Sequence, residues 1–153
     1  MKVGLLGSGD VAKTLAGGFL QHGHEVMLGT RTPAKLADWA TAHPPARVVS
    51  VAEAAGFGEL VVLAVKGTAA AAVLRAAGAT TLAGKPLIDV TNPIADAPPV
   101  NGVLHFFTTL EESLLERLQR EFAEVRFVKA FNSVGHVNYH PNGATHYRLN
   151  GAT

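Results

Sequence analysis

The sequence contains no cysteine. That excludes a disulfide scaffold and a thiolate metal site. It also lacks a long apolar run: stretches such as residues 60–65 fall far short of the about 20 residues that span a bilayer. No secretory signal is expected, because Met1-Lys2-Val3-Gly4-Leu5-Leu6 runs straight into a glycine turn without a long apolar region or a small-residue cleavage site. An excess of charge is missing too. The formal net charge is +1, with no block of like charges, which does not support a nucleic-acid footprint. The expectation is a cytoplasmic protein with neither nucleic acid nor membrane as partner.

What is present fits one domain over residues 1–153: 48% hydrophobic and 16% charged residues provide a full core and too little charge for disorder. Strand and helix signals alternate from the first residue. Strands are predicted at 2–6, 26–28, 47–49, 60–65, 85–90 and 126–129, with a short seventh at 146–150. Residues 60–65 are apolar on both faces, as a central parallel strand covered from both sides must be. Helices are predicted at 10–21, 33–43 and 68–77, and a short one opens at the capping box Ser50-Val51-Ala52-Glu53. Thr109-Leu110-Glu111-Glu112 has the same pattern and predicts a helix to about 122. Thr32 is expected to cap the second helix, with Pro33 at its first position, and Gly23 to end the first in the left-handed region. This rhythm predicts an α/β fold, a doubly wound parallel sheet of six to seven strands between two helical layers. Residues 91–108 and the segment from 130 onward read as irregular loops, and ligands of such sheets bind among loops of this kind.

The first strand runs into Gly7-Ser8-Gly9-Asp10-Val11-Ala12 and then an amphipathic helix. In that context G-x-G-x-x-A reads as the phosphate turn of a Rossmann-type dinucleotide site. Gly7 permits the turn, Gly9 lets the backbone approach a pyrophosphate, and Ala12 keeps the helix close to the sheet. Helix N–H groups and the helix dipole then face the anion. Asp10 is expected to cap the helix and point away. The alternative is an ordinary glycine-rich turn.

An NAD site would place an acid at the end of the second strand. Here that position reads Gly29-Thr30-Arg31, without one. Arg31 could fork onto a 2′-phosphate, Thr30 could donate a hydroxyl bond, and Lys35 lies near the same helix end. The cofactor reading is therefore NADP(H); the alternative for Arg31 is a solvated surface arginine.

Five stretches share a further pattern: residues 4–12, Gly29-Thr30-Arg31-Thr32-Pro33, Leu63-Ala64-Val65-Lys66, Asp89-Val90-Thr91-Asn92-Pro93, and Val128-Lys129-Ala130-Phe131-Asn132-Ser133-Val134-Gly135. On these the chain resembles the coenzyme F420-dependent NADP oxidoreductases, particularly their bacterial dinucleotide-binding relatives. The resemblance implies hydride transfer between NADPH and a small-molecule acceptor, coenzyme F420 or a flavin-like ring. It implies that Thr30 and Arg31 hold the 2′-phosphate and that Ala64, Val65 and Lys66 border the riboses. Asn92 and Pro93 would line the nicotinamide end, and Ala130, Phe131 and Asn132 would wall the acceptor pocket. Asn92-Pro93 read alone is also an ordinary turn, and Phe131 could be core. Direct transfer between two bound rings needs no catalytic acid, so none is assigned.

Members of that family continue past the sixth strand with another strand and a helical segment, so a shortened or altered C-terminal segment is expected here. The sixth strand should be under-covered, and a homodimer is the expected assembly. Two other functions stay open: a reductase of another small substrate, such as an imine or hydroxy acid, and a non-catalytic NADP-binding module. His136, Tyr139, His140, His146 and Tyr147 cluster near the end, but their spacing crosses Pro141 and Gly143 and no metal site is assigned.

Overall fold

The computed structural model describes residues 1–134. The chain forms β1 (Lys2–Leu6), α1 (Asp10–Gln21), β2 (Glu25–Gly29), a 3-10 turn (Pro33–Leu36) leading into α2 (Ala37–Ala42), and β3 (Arg47–Val49). It continues through α3 (Val51–Phe57), β4 (Leu60–Leu63), a 3-10 turn (Gly67–Ala69), α4 (Ala70–Ala77), α5 (Ala79–Leu82), β5 (Pro86–Asp89), α6 (Leu114–Glu121) and β6 (Arg126–Lys129). The six strands form one sheet in the order β3-β2-β1-β4-β5-β6, with every pairing parallel. This is the doubly wound Rossmann arrangement, and the order reverses between β1 and β4.

Period-two alternation along the central strands divides the core between the two faces of the sheet. Val3, Leu5, Val26, Leu28 and Val62 pack on one face with Ala12, Leu15 and Ala16 of α1 and with Leu36. Leu6, Met27, Val61, Leu63 and Leu87 pack on the other with α3, α4 and α6. Three layers result. The α1 face thins toward the β6 edge. Ile88 is only partly buried there, and its register partner Val128 is 51% exposed. No helix among the described residues is long and apolar enough to cross a membrane.

Several expected boundaries move. Helix α1 spans the expected residues and Gly23 takes φ 75° as expected, but Gly9 is the cap. Asp10 instead occupies the first helical position and pairs with Lys13 at 2.9 Å. Thr32 caps nothing with its side chain; its N–H donates to Thr30 Oγ1 (3.1 Å). The Ser50/Glu53 capping box forms as expected. The second box is Ser113/Glu116, so α6 starts later than predicted. Glu112 pairs with Arg120 and Arg117, which hold its carboxyl below the ordinary value. Glu116 accepts from the Ser113 backbone and hydroxyl, which lower it in the same way.

Residues 94–106 are less irregular than expected. Bridges Ile94–Phe106 and Val100–Val103 make a small hairpin around Asn101 (φ 51°) and Gly102 (φ 78°). Two successive positive φ values match the turn that Asn-Gly favours. The expected strand at 146–150 and the histidine cluster lie outside the described residues.

Candidate functional site

At the switch point Leu6 pairs with Gly29 on one side and with Leu63 on the other. The chain therefore leaves β1, β2 and β4 at one level, and the loops that follow open a cleft of about 1030 Å³. That volume is at the upper end for small-molecule sites. The sixteen residues singled out from the sequence are distributed unevenly around it. Gly7, Ser8, Gly9, Asp10, Val11, Thr30, Arg31, Lys35, Ala64, Val65, Lys66 and Asn92 all line the cleft. Pro93, Ala130, Phe131 and Asn132 are not part of its lining.

The floor is the β1–α1 turn. Gly7 adopts φ 145°, and a Cβ there would lie 2.1 Å from the Ala64 carbonyl oxygen. Only glycine fits. Its N–H donates to the Gly29 carbonyl (2.9 Å), while Ala64 N–H donates to the Leu6 carbonyl (2.9 Å), so three strand ends are laced together. Gly9 differs. Its φ is −80°, and a Cβ on it would meet nothing within 4 Å. The turn thus keeps an empty cradle at the start of a twelve-residue helix whose cap has no side chain to satisfy the first N–H groups. An anion seated there would do so.

One wall is the end of β2. Thr30 is buried; its N–H donates to the Val49 carbonyl (3.1 Å) and its hydroxyl accepts from Thr32 N–H (3.1 Å). A hydroxyl that accepts one bond still has its own proton to donate. Arg31 and Lys35 are exposed, and among the described residues neither has an ion-pair partner. Two uncommitted cations and a hydroxyl, with no acid, form a donor set for a phosphate.

The opposite wall was only partly foreseen. Gly67, Val90, Ile94 and Asp96 join Lys66 and Asn92 in lining it. Ile94 and Asp96 belong to the loop after β5, where the sequence places ligand-binding loops; Gly67 has no sequence signal beyond following Lys66. Lys66 pairs with Asp96 at 3.0 Å. The Thr68 hydroxyl and then Lys66 hold the Asp96 carboxyl below its ordinary value of 3.8. Lys66 is therefore committed to a carboxylate, unlike Arg31. Asn92 Nδ2 donates to the Asn132 carbonyl (3.2 Å), which ties the β6 exit to the cleft wall. Phe131 is 39% exposed, so it is not core, and it has φ 63°. Among the described residues no group of acids and histidines could hold a metal ion.

A family model described as NADP oxidoreductase, coenzyme F420-dependent, matches residues 2–93, more than half of the 153-residue chain. The chain belongs to this family. The matched residues contain the phosphate turn, the β2 end and the wall as far as Asn92. Among solved structures, one from Arthrobacter sp. FB24, provisionally assigned as an F420-dependent NADP reductase, is 36% identical with a TM-score of 0.83. The alignment covers 90% of this chain and 65% of that one. An imine reductase from Streptomyces aurantiacus is 23% identical, with TM-score 0.62 over 84% of this chain and 39% of its own. One from Myxococcus stipitatus in complex with NADP+ is 20% identical, with TM-score 0.61 over 84% and 40%. These last two share the fold. No curated protein matches the chain. This family member thus spans about two thirds of the Arthrobacter relative's length.

Proposed function

We propose that the chain is an NADP(H)-dependent oxidoreductase that passes hydride between NADPH and a small ring acceptor, a deazaflavin such as coenzyme F420 or a flavin. The observation that carries this reading is the combination of the open Gly9 cradle with uncommitted Arg31 and Lys35 in one cleft. The first suits a pyrophosphate. The second suits a 2′-phosphate and rejects no anion, since the β2 end has no acid. Family membership and the NADP+ complex of the Myxococcus relative support the same cofactor.

In this reading Thr30 and Arg31 bind the 2′-phosphate, with Lys35 beside them. Ala64, Val65 and Lys66 border the riboses. Asn92 has its Nδ2 committed to Asn132, leaving Oδ1 to accept from a carboxamide N–H. Bound NADPH would supply a hydride from its nicotinamide ring. The protein's part is to orient that ring and shield it; it needs no acid or base at the reacting atoms.

Calorimetry with NADPH and NADH, followed by NADPH oxidation with coenzyme F420, FMN or a ferric salt, tests the reading. The expected result is tighter binding of NADPH and turnover with a ring acceptor. A second reading, a module that binds NADP(H) without turnover, draws on Ala130, Phe131 and Asn132 standing outside the cleft. Binding without turnover of any acceptor would favour it. A homodimer is part of the proposal. It rests on the exposed apolar side chains of Val128, Phe131, Phe106 and Leu104. Light scattering across a dilution series should give twice the chain mass; a monomer at all concentrations would remove the dimer from the proposal.

A further inference from the structure

We infer that Asp89 and Lys129 form an ionic clasp that fixes the nicotinamide end of the cleft, and that both are positioning residues for the cofactor ring. The inference rests on the cofactor reading above.

Asp89 ends β5 and is completely buried. A buried carboxylate is costly unless it is paired and hydrogen-bonded. Both of its oxygens are used. Oδ1 accepts from the Thr91 N–H (2.9 Å), and Oδ2 accepts from Lys129 Nζ (2.8 Å). Lys129 ends β6, in register with Asp89, and its ammonium also donates to the Thr91 carbonyl. The two charges therefore grip one residue from both sides, Asp89 by its N–H and Lys129 by its C=O. The Thr91 hydroxyl takes no part; it is buried with no hydrogen-bond partner among the described residues.

The next residue, Asn92, lines the cleft. Its carbonyl lies so close to Gly67 that a Cβ there would be 2.2 Å away, and its amide reaches the Asn132 carbonyl. Asn132 follows Phe131, whose φ of 63° is unusual for a bulky residue and persists only where its surroundings impose it. Lys129, two residues earlier, is an anchor for that exit. The clasp thus holds both partners of the Asn92–Asn132 contact, one through Thr91 and one through β6.

Stability alone is a weak reason for such a pair, since apolar residues of similar volume often serve as well. What apolar residues cannot supply is a bond to both the N–H and the C=O of Thr91.

The test separates the two ends of the cofactor. NADPH engages the whole cleft, whereas 2′,5′-ADP carries only the adenosine end with its 2′-phosphate. Lys129→Met alone strands a buried carboxylate and can unfold the chain, so the double variant D89N/K129M, which removes both charges, is measured beside it. Calorimetry on the folded double variant should show NADPH weakened about tenfold, as for the loss of one good hydrogen bond, with 2′,5′-ADP unchanged. Equal weakening of both ligands would mean a general structural role and overturn the inference, as would no change in either. A wild-type chain that binds neither ligand would overturn the cofactor reading itself, and the clasp with it.

Discussion

Replacing Gly9 with valine is expected to abolish NADPH binding in a protein that still folds. The two glycines of the phosphate turn make this a sharp experiment, because they are glycine for different reasons. Gly7 has φ 145° and a Cβ there would strike the Ala64 carbonyl at 2.1 Å, so any side chain breaks the junction of β1 with β4. Gly9 has an extended conformation (φ −80°, ψ 178°) that any residue adopts, and its Cβ would touch no protein atom within 4 Å. A valine there costs the fold little. It places an isopropyl group on the cleft lining, where the backbone must come close to a pyrophosphate. Affinity should fall by about 100-fold or more, about 2.7 kcal/mol. Circular dichroism and thermal melting establish the fold, and calorimetry the affinity. Gly9→Val with wild-type affinity for NADPH would remove the turn from the site.

Arg31→Ala is the second large effect, and it is selective. Arg31 is exposed and has no ion-pair partner among the described residues, so removing it strands no buried charge and leaves the fold alone. If its guanidinium forks onto the 2′-phosphate, a charge-assisted bond worth about 1.5–3 kcal/mol is lost, about ten- to 150-fold in affinity. NADH has no such phosphate and should bind as before. Equal losses for the two cofactors would show that Arg31 does not read the phosphate. Lys66, by contrast, already faces Asp96 at 3.0 Å and is not expected to carry this selectivity.

The parts of the fold that could be read in advance are those set by local demands. The phosphate turn needs glycine at fixed offsets, and the Ser50/Glu53 box formed where its pattern stands. The start of α6 shows where local patterns stop deciding. Thr109…Glu112 and Ser113…Glu116 are equally good boxes in sequence. Packing chooses the second: Leu114 and Leu118 are 7% and 2% exposed in the core, whereas Leu110 is fully exposed. The hairpin at Asn101-Gly102 carries a local signal in its dipeptide, although the surrounding segment reads as an irregular loop. The Asp89–Lys129 pair was not legible. The two residues stand 40 positions apart, and only the β5–β6 register brings them together.

The lone tryptophan gives this protein a built-in optical readout. Trp39 sits on α2, which continues from the turn carrying Lys35, and it stacks on His43 with ring centroids 4.3 Å apart and planes 12° from parallel. A stacked, half-buried indole is a fixed emitter, and it belongs to the side of the sheet that follows β2. A reduced nicotinamide is itself fluorescent, and in the proposed reading it lies at the other side of the cleft. In the proposed complex the two emissions are separable, so α2 and the reduced ring can each be followed by its own colour, in the unlabelled chain and in the same cuvette.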